Sequence, residues 1–221
     1  MLEILYEDSD ILVVKKPAGV PTQSANIRMK DMVSYINEYL HKTDRSAALG
    51  LVHRLDQPVE GILVFGKNKS ATANLNKQIM ENQMQKDYYA LVHGKLSEAA
   101  GSLIDYMKKE EAARKAIISC QSDTQAKKAE LSYEVIDYEK SQDISLVRIH
   151  LITGRFHQIR LQFSNLGNPL LGDKKYGTKE DPIKNVALCA YRLSFKHPKT
   201  NKELSYEITP QNPAFHGFFD R

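Results

Sequence analysis

The sequence predicts an α+β fold, because short β patterns and a few amphipathic helical patterns occur along one chain. The β patterns are runs in which apolar and polar residues alternate, or short apolar runs between turn residues. The helical patterns place apolar side chains three or four positions apart. No internal repeat and no low-complexity linker divides the chain, so we expect a single domain over residues 1–221.

The composition describes a mildly basic protein. The 221 residues carry a formal net charge of +4, and the pI is about 8.9. This balance permits nucleic-acid binding through phosphate contacts but does not require it. No stretch reaches the ~18 apolar residues of a membrane span, and the acidic start does not resemble a secretory signal. Cys120 and Cys189 lack metal-ligand spacing. We therefore expect a cytoplasmic protein with reduced thiols and no metal.

The first third of the chain predicts a β-hairpin and two helices. The hairpin covers residues 3–14, with its turn at Glu-Asp-Ser-Asp. Asp31 is the expected N-cap of a helix that runs to about Leu40, and Ser70 is the expected N-cap of the next one. The apolar stripes of these helices are Val33, Ile36 and Leu40, and Ala71, Leu75 and Ile79.

The remainder of the chain predicts mainly strands. Residues 101–130 have the least regular pattern, and we expect their charged groups to lie in solvated hairpins or loops. Residues 215–219 allow either docking on the core or fraying. The expected strands are 86–94, 131–135, 147–151, 188–195 and 204–208.

Residues 52–67 combine a basic pair, a lone carboxylate, a turn and an apolar strand. His53 and Arg54 precede Asp56, a turn with a proline and a glycine follows, and the run 62–65 predicts a buried strand. A carboxylate on a turn that a buried strand holds in place is suited to catalysis, because loops carry function and strands fix their position. On composition alone, Asp56 is more often a turn-capping or ion-pairing residue.

A strand-to-helix junction at residues 153–163 is the second candidate for a site. The spacing of the apolar residues changes there from every second position, as in a strand, to every third or fourth position, as in a helix. Gly167 suits a left-handed C-cap of that helix. His157, Arg160 and Ser164 fall together beside the apolar stripe. The expected core-facing stripe is Phe156, Ile159, Phe163 and Leu166.

Residues 53–67 resemble the catalytic motif of the RluA-type pseudouridine synthases. They read His-Arg-Leu-Asp, a turn, Gly, an apolar strand and Gly-Lys. Other segments resemble the family in the same order, and the resemblance covers about residues 9–209. Glu60 stands where the family has Thr or Ser before the glycine, and Phe156 replaces the usual Thr. The matching segments are Lys-Pro-Ala-Gly at 16–19, Lys-x-Tyr-x-Ala-x-Val-x-Gly at 86–94, Gly-Arg-Phe-His-Gln-Ile-Arg at 154–160 and the loop at 167–177.

The resemblance implies a fold and a set of site residues. The fold is one catalytic domain with a mixed, largely antiparallel central sheet flanked by helices and an active-site cleft across the sheet, without an N-terminal S4 RNA-binding domain. Asp56 would be the catalytic residue, Tyr88 would face the active site, and Arg160 would pair with the catalytic Asp. Candidate RNA-binding residues are Arg54, His53, Arg155 and His157.

The implied reaction converts uridine to pseudouridine within structured RNA, ribosomal or transfer. The uracil leaves its ribose through N1, rotates and rejoins through C5, and it must flip out of any helix first. A carboxylate can act as nucleophile or electrostatic partner. Attack at C1′, attack at C6 and abstraction of a ribose proton all stay open. We expect no metal or organic cofactor, and a monomer.

Two other classes of function compete with this interpretation. A catalytically silent RNA-binding protein could retain the fold, although the presence of Asp56, Tyr88 and Arg160 disfavours it. A glycoside hydrolase usually needs two carboxylates flanking the bond. Glu60 is the only carboxylate near Asp56 in the sequence, which disfavours this alternative too.

Overall fold

The structure is a computed structural model that describes residues 2–26, 28–178 and 180–219. The chain forms two compact units, the first from residues 1–85 and 190–210, the second from residues 86–189 and 211–221. In chain order the elements are β1 (Glu3–Glu7), β2 (Ile11–Lys16), α1 (Met32–Thr43), β3 (Gly50–Leu51), β4 (Glu60–Gly66), α2 (Lys69–Met80), β5 (Gln85–His93), β6 (Ala100–Glu110), β7 (Lys115–Ser119), β8 (Lys127–Glu139), β9 (Ile144–Leu151), α3 (Gln158–Asn165), β10 (Leu188–Lys196), β11 (Glu203–Glu207), a 3₁₀ turn (Pro213–Phe215) and α4 (His216–Phe219).

The first unit is built on the strand order β1-β2-β4-β10, with β3 beside β4 and β11 beside β10. The pairs β1–β2, β2–β4, β3–β4 and β10–β11 are antiparallel. The hairpin predicted for residues 3–14 is confirmed: in its turn, Asp8 Oδ1 accepts the N–H groups of Asp10 at 2.8 Å and Ile11 at 2.9 Å. Every residue of β2 and β4 is buried, as their apolar runs predict for strands covered on both faces.

Both helices of the first unit form where the sequence places them. Asp31 caps α1 as predicted, and its carboxylate accepts the N–H of Ser34 at 2.7 Å. The buried residues of α1 include Met32 in place of Val33, so that member of the stripe was wrong. Met32 lies four residues before Ile36 and therefore on the same face of the helix.

The N-cap predicted for α2 was also wrong. Asn68, in an extended conformation, caps this helix through a 2.8 Å hydrogen bond from the N–H of Ala71. Ser70 is the second residue of the helix, so it lies inside the first turn rather than at the capping position before it. Ala71 and Leu75 are buried as predicted and pack on β2 and β4 in one apolar cluster.

The second unit is built on the strand order β5-β9-β8-β6-β7, and every neighbouring pair is antiparallel. Residues 101–130, which have the least regular pattern in the sequence, are more ordered than that pattern indicates, because most of them form β6, β7 and the start of β8. The charged residues that obscured the pattern occupy exposed or half-buried strand positions. The prediction that some of them lie in a hairpin is confirmed by the β6–β7 pair.

The predicted helix after residue 153 is shorter than expected. Ile159 and Phe163 are buried as predicted, and Gly167 takes the left-handed conformation with φ +91°. Phe156 and Leu166 are 38% and 39% exposed, so their assignment to the core stripe was wrong. His157 has φ +56°, and α3 begins only after it. Phe156 therefore lies outside the helix, where helical spacing no longer sets its direction.

The C-terminal segment docks within the second unit rather than fraying. Phe215 is fully buried, and the ring centroid of Phe219 lies 5.0 Å from that of Tyr89 on β5. The α+β class is confirmed, whereas a single catalytic domain over residues 1–221 stays a prediction. In the described ranges both cysteines are free. No helix there has the length and apolar character that crossing a membrane requires.

Candidate active site

Asp56 lies in the first unit, on the loop between β3 and β4. The neighbouring Leu55 is buried, and its backbone is held from both sides by the buried hydroxyl of Thr22. Thr22 Oγ1 donates to the Leu55 carbonyl at 2.9 Å and accepts the Leu55 N–H at 3.1 Å. On the other side, the N–H of Val59 donates to the Asp56 carbonyl at 3.1 Å and closes a turn. These contacts restrict the backbone that carries the half-buried carboxylate.

Lys16 is hydrogen-bonded to the same loop. It is the last residue of β2, and its side chain is 0% exposed. Its ammonium donates to the carbonyls of Pro17 at 3.0 Å, Val20 at 2.6 Å and Gln57 at 3.2 Å. Three acceptors match the three N–H groups of a charged lysine. Lys16 thereby ties the strand to the residue directly after Asp56.

The electrostatics around Lys16 link it to two carboxylates. Burial lowers the pKa of Lys16 to about 7, while the charges of Asp56 and Glu60 act in the opposite direction. Glu60 is itself buried, at the first position of β4. Lys16, at the end of β2, therefore lies near enough to both carboxylates for their charges to favour its protonated form.

Gly61 sets the path from this loop into β4. Its φ is +145°, a conformation that side chains rarely adopt. A Cβ added there would lie 2.4 Å from the Cβ of Ala190 on β10. Both the backbone conformation and the close approach of the next strand therefore require glycine.

His53 and Arg54 differ in their surroundings. The Nε2 atom of His53 accepts the N–H of Val64 at 3.2 Å, so a neutral His53 carries its proton on Nδ1. Arg54 is exposed. Their proposed contacts with RNA stay predictions.

Tyr88 lies in the second unit, buried on β5 and opposite Ile149 of β9. Lys86 precedes it by two residues and therefore points to the same side of the strand. Burial lowers the pKa of Lys86. A Cβ added at Gly154 would be 3.5 Å from the Lys86 ammonium, which places this lysine beside the turn that leads into α3.

Arg160 of α3 forms a buried bidentate ion pair with Asp173. Arg160 Nε donates to Oδ2 at 2.7 Å and Nη2 donates to Oδ1 at 2.8 Å, with both side chains at most 5% exposed. Burial acts to raise the pKa of Asp173, but Arg160 and the backbone N–H groups of Lys175 and Tyr176 bring it below its usual value. The pair holds the guanidinium in one orientation.

The turn before α3 is similarly constrained. Gln158 Oε1 accepts the N–H of Arg155 at 2.9 Å and the hydroxyl of Thr153 at 2.8 Å. The hydroxyl of Tyr176 accepts the N–H of Ala116 at 2.7 Å. That hydroxyl is also hydrogen-bonded to Nδ1 of His157 at 2.8 Å. His157 is buried, while Arg155 is exposed.

The structure therefore groups the predicted residues by unit. The first unit holds His53, Arg54 and Asp56 on one loop. The second holds Tyr88 on β5, and Arg155, His157 and Arg160 on α3 and its preceding turn.

Sequence reasoning missed Lys16, Asp173 and Tyr176 as supporting residues. For Lys16 a signal was present, because a lysine that ends an apolar strand run must find acceptors if it is buried. For Asp173 and Tyr176 no local pattern indicates the partner, since both act on residues of α3 from a separate loop.

A further cluster of possible metal ligands occurs in the first unit, where ligand atoms of Asp8, Asp10 and His197 lie within 4.8 Å of one another. His197 Nδ1 accepts the N–H groups of Lys199 and Thr200, so Nε2 carries the proton and donates to Asp8 at 2.8 Å. Both ring nitrogens are thus engaged in hydrogen bonds that fix the β10–β11 turn. We assign this cluster a structural role.

Comparison with known proteins identifies the class of fold. The solved structure of human RNA Pseudouridylate Synthase Domain Containing 4 superposes with a TM-score of 0.78, covering 95% of this chain and 89% of that chain at 21% sequence identity. This likeness confirms the predicted pseudouridine synthase fold.

The family follows from the sequence comparisons. The family model for RNA pseudouridylate synthase matches residues 10–165. An uncharacterized RNA pseudouridine synthase of Aquifex aeolicus (strain VF5) is 31% identical over 94% of this chain and 69% of its own length. Ribosomal large subunit pseudouridine synthase C of Buchnera aphidicola subsp. Schizaphis graminum (strain Sg) is 31% identical over 98% of this chain and 69% of its own length. The chain therefore belongs to the RluA-type RNA pseudouridine synthases, which are isomerases.

Proposed function

We propose that this pseudouridine synthase isomerises uridines of ribosomal or transfer RNA, with Asp56 as its catalytic carboxylate. The observation that carries the assignment of Asp56 is the support of its loop. Thr22 holds the residue before it through two buried hydrogen bonds, and the ammonium of Lys16 holds the residue after it. A carboxylate on such a rigid loop is preorganised, which is what a group acting on a reacting sugar or base requires.

The reaction conserves all atoms of the nucleotide. The C1′–N1 bond breaks, the uracil rotates, and a C1′–C5 bond forms. The proton on C5 is lost and N1 gains one. Asp56 acts either as the nucleophile or as the base that starts this sequence.

Tyr88 and Arg160 are proposed as further catalytic residues, as the family resemblance implies. The phenol of Tyr88 is suited to orient the uracil ring or to take part in moving the C5 proton. The paired guanidinium of Arg160 is a fixed positive charge, suited to developing negative charge. Arg54, His53, Arg155 and His157 are proposed to contact the RNA.

The choice of ribosomal RNA is supported by the relative in Buchnera, which is named as a ribosomal large subunit pseudouridine synthase. Transfer RNA stays a candidate substrate. Either substrate would bind through its phosphates, so the affinity should fall with rising salt concentration.

The test is a pseudouridine map. Ribosomal and transfer RNA from a strain that lacks the gene is incubated with wild-type protein, with Asp56→Asn, or with the control Glu38→Gln, whose carboxylate is exposed on α1. We expect new pseudouridines with wild type and control, and none with Asp56→Asn at unchanged RNA affinity. Equal product from Asp56→Asn would refute the assignment.

A further inference from the structure

A basic cleft in the second unit is separate from the residues proposed to carry the chemistry. It lies between the β6–β7 hairpin, the start of β8 and the turn before α3, and has a volume of about 380 Å³. That volume falls in the roughly 300–1,000 Å³ range of ligand sites. We call it the basic cleft and define it by the lining residues on which the argument depends: Lys108, Lys109, Lys127, Arg155 and Phe156.

The cations of the basic cleft are only partly neutralised. Lys108 pairs with Asp123 at 2.7 Å, and Lys109 pairs with Glu111 at 2.7 Å on an exposed surface. In the part of the chain that the structure describes, no acidic side chain pairs with Lys127 or Arg155. Arg155 Nε donates to a backbone carbonyl of β8 at 2.9 Å, a neutral acceptor that does not cancel the charge of the guanidinium. The surplus positive charge favours an anionic ligand.

Phe156 gives the basic cleft an exposed aromatic ring. His157 stacks on one face of this ring, with centroids 3.7 Å apart and an interplanar angle of 22°. A planar ligand can therefore stack only on the opposite face. The ammonium of Lys109 lies over the Phe156 ring, 5.3 Å from its centroid. A base that stacks on the ring must therefore displace this ammonium, and the half-exposed lysine side chain can then reach a phosphate of the same ligand.

The stacking surface is held rigidly. His157 is buried, and its left-handed backbone conformation is rare for a residue with a side chain. Its Nδ1 is hydrogen-bonded to the hydroxyl of Tyr176, and that hydroxyl accepts the N–H of Ala116. Strained residues that a surrounding network holds in place are concentrated at binding sites. The ring of Phe156 is thus pre-positioned by its neighbour.

We propose that the basic cleft binds a single-stranded segment of the substrate RNA outside the target nucleotide, with one unstacked base on Phe156 and its phosphates at Lys109, Lys127 and Arg155. Aromatic rings beside a cationic groove are the combination that binds single-stranded nucleic acid. An acidic peptide would use the cations but leave the ring without a planar partner. This inference rests on the proposed function, since it assumes an RNA substrate.

Binding of a uridine-free oligocytidylate tests the proposal without any requirement for catalysis. The full-length chain is titrated as wild type, as Phe156→Leu and as Lys109→Gln/Lys127→Gln. The matched controls are Tyr35→Leu and Lys30→Gln, because Lys30 lies 5.6 Å from the ring centroid of Tyr35 in the first unit. We expect Phe156→Leu to raise Kd about tenfold. The logarithm of the binding constant falls with the logarithm of the salt concentration, and in the double lysine variant this slope should be less steep by about 1.4. The controls should match wild type.

A photo-crosslink gives a direct readout. The same oligomer with 5-iodocytidine is irradiated on the protein, and the linked residue is mapped by mass spectrometry. A crosslink on Phe156 supports the proposal. Crosslinks only elsewhere, equal Kd values for wild type and Phe156→Leu, or equally tight binding of poly-glutamate overturn it. The pseudouridine map with Asp56→Asn is independent of these measurements, so the two proposals can fail separately.

Discussion

The ammonium of Lys16 donates to the backbone carbonyl of Gln57 at 3.2 Å, one residue after Asp56. This hydrogen bond joins the end of a buried strand to the loop that carries the proposed catalytic carboxylate. Because Lys16 also donates to two carbonyls of its own segment, a single buried charge organises both chain segments.

Lys16 should make stability depend on pH in an identifiable window. Its folded pKa is about 7, below the 10.5 of a free lysine. Between these values the unfolded chain binds more protons than the folded one. The free energy of unfolding should therefore rise with pH there, by up to about 1.4 kcal/mol per pH unit. Below about pH 7 Lys16 is protonated in both states, so it adds nothing to the slope.

Urea unfolding across that window checks this expectation. Lys16→Met should lose the slope, whereas Lys42→Met, at an exposed position of α1, should keep it. Parallel curves for wild type and Lys16→Met would mean that Lys16 does not titrate between these pH values.

Gly61→Ala should destabilise the protein by more than about 2 kcal/mol, because the new methyl group meets Ala190 and the backbone is strained. Gly167→Ala is the matched control. Gly167 also has a positive φ, +91°, but a Cβ there meets no atom within 4 Å. It should lose only the backbone contribution, about 1–2 kcal/mol. Thermal and urea unfolding measure both, and a larger loss at Gly167 would contradict the packing argument.

Asp173→Asn should cost about 3–5 kcal/mol of stability, because it leaves the guanidinium of Arg160 buried without its bidentate partner. The control is Glu38→Gln, which removes the exposed 2.8 Å pair with Lys30 and should leave stability unchanged within error. Chemical unfolding of the two variants checks this. If both lose the same stability, burial does not decide the strength of the Arg160 pair.

Tyr88→Phe should lower the rate of pseudouridine formation at saturating RNA about 100-fold or more if its hydroxyl takes part in proton transfer. Tyr89→Phe is the natural control, since its ring packs on Phe219 and the ring is retained. Single-turnover assays with both variants measure the chemical step. Wild-type rates from Tyr88→Phe would exclude a role of the hydroxyl in chemistry.

The sequence by itself determined the elements whose signals are local. The hairpin at residues 3–14, the Asp31 cap and the Gly167 cap depend on neighbours within a few positions, and each is confirmed. The motif around Asp56 and the other matching segments likewise sufficed to predict the family, because each is a short local pattern and they occur in the family's order along the chain. Charged residues hid β6 and the start of β8, since strand preference depends on which face and which neighbours a strand has.

Only the tertiary structure decided where side chains without a local signal go. The left-handed His157 delays the start of α3, so Phe156 leaves the core stripe and lines the basic cleft instead. Lys16 is buried because carbonyls from two separate chain segments converge on it. Asp173 meets Arg160 from a loop that no periodicity connects to α3. Periodicity reports that a face is buried, but the identity of the groups that meet there depends on chain segments far apart in sequence.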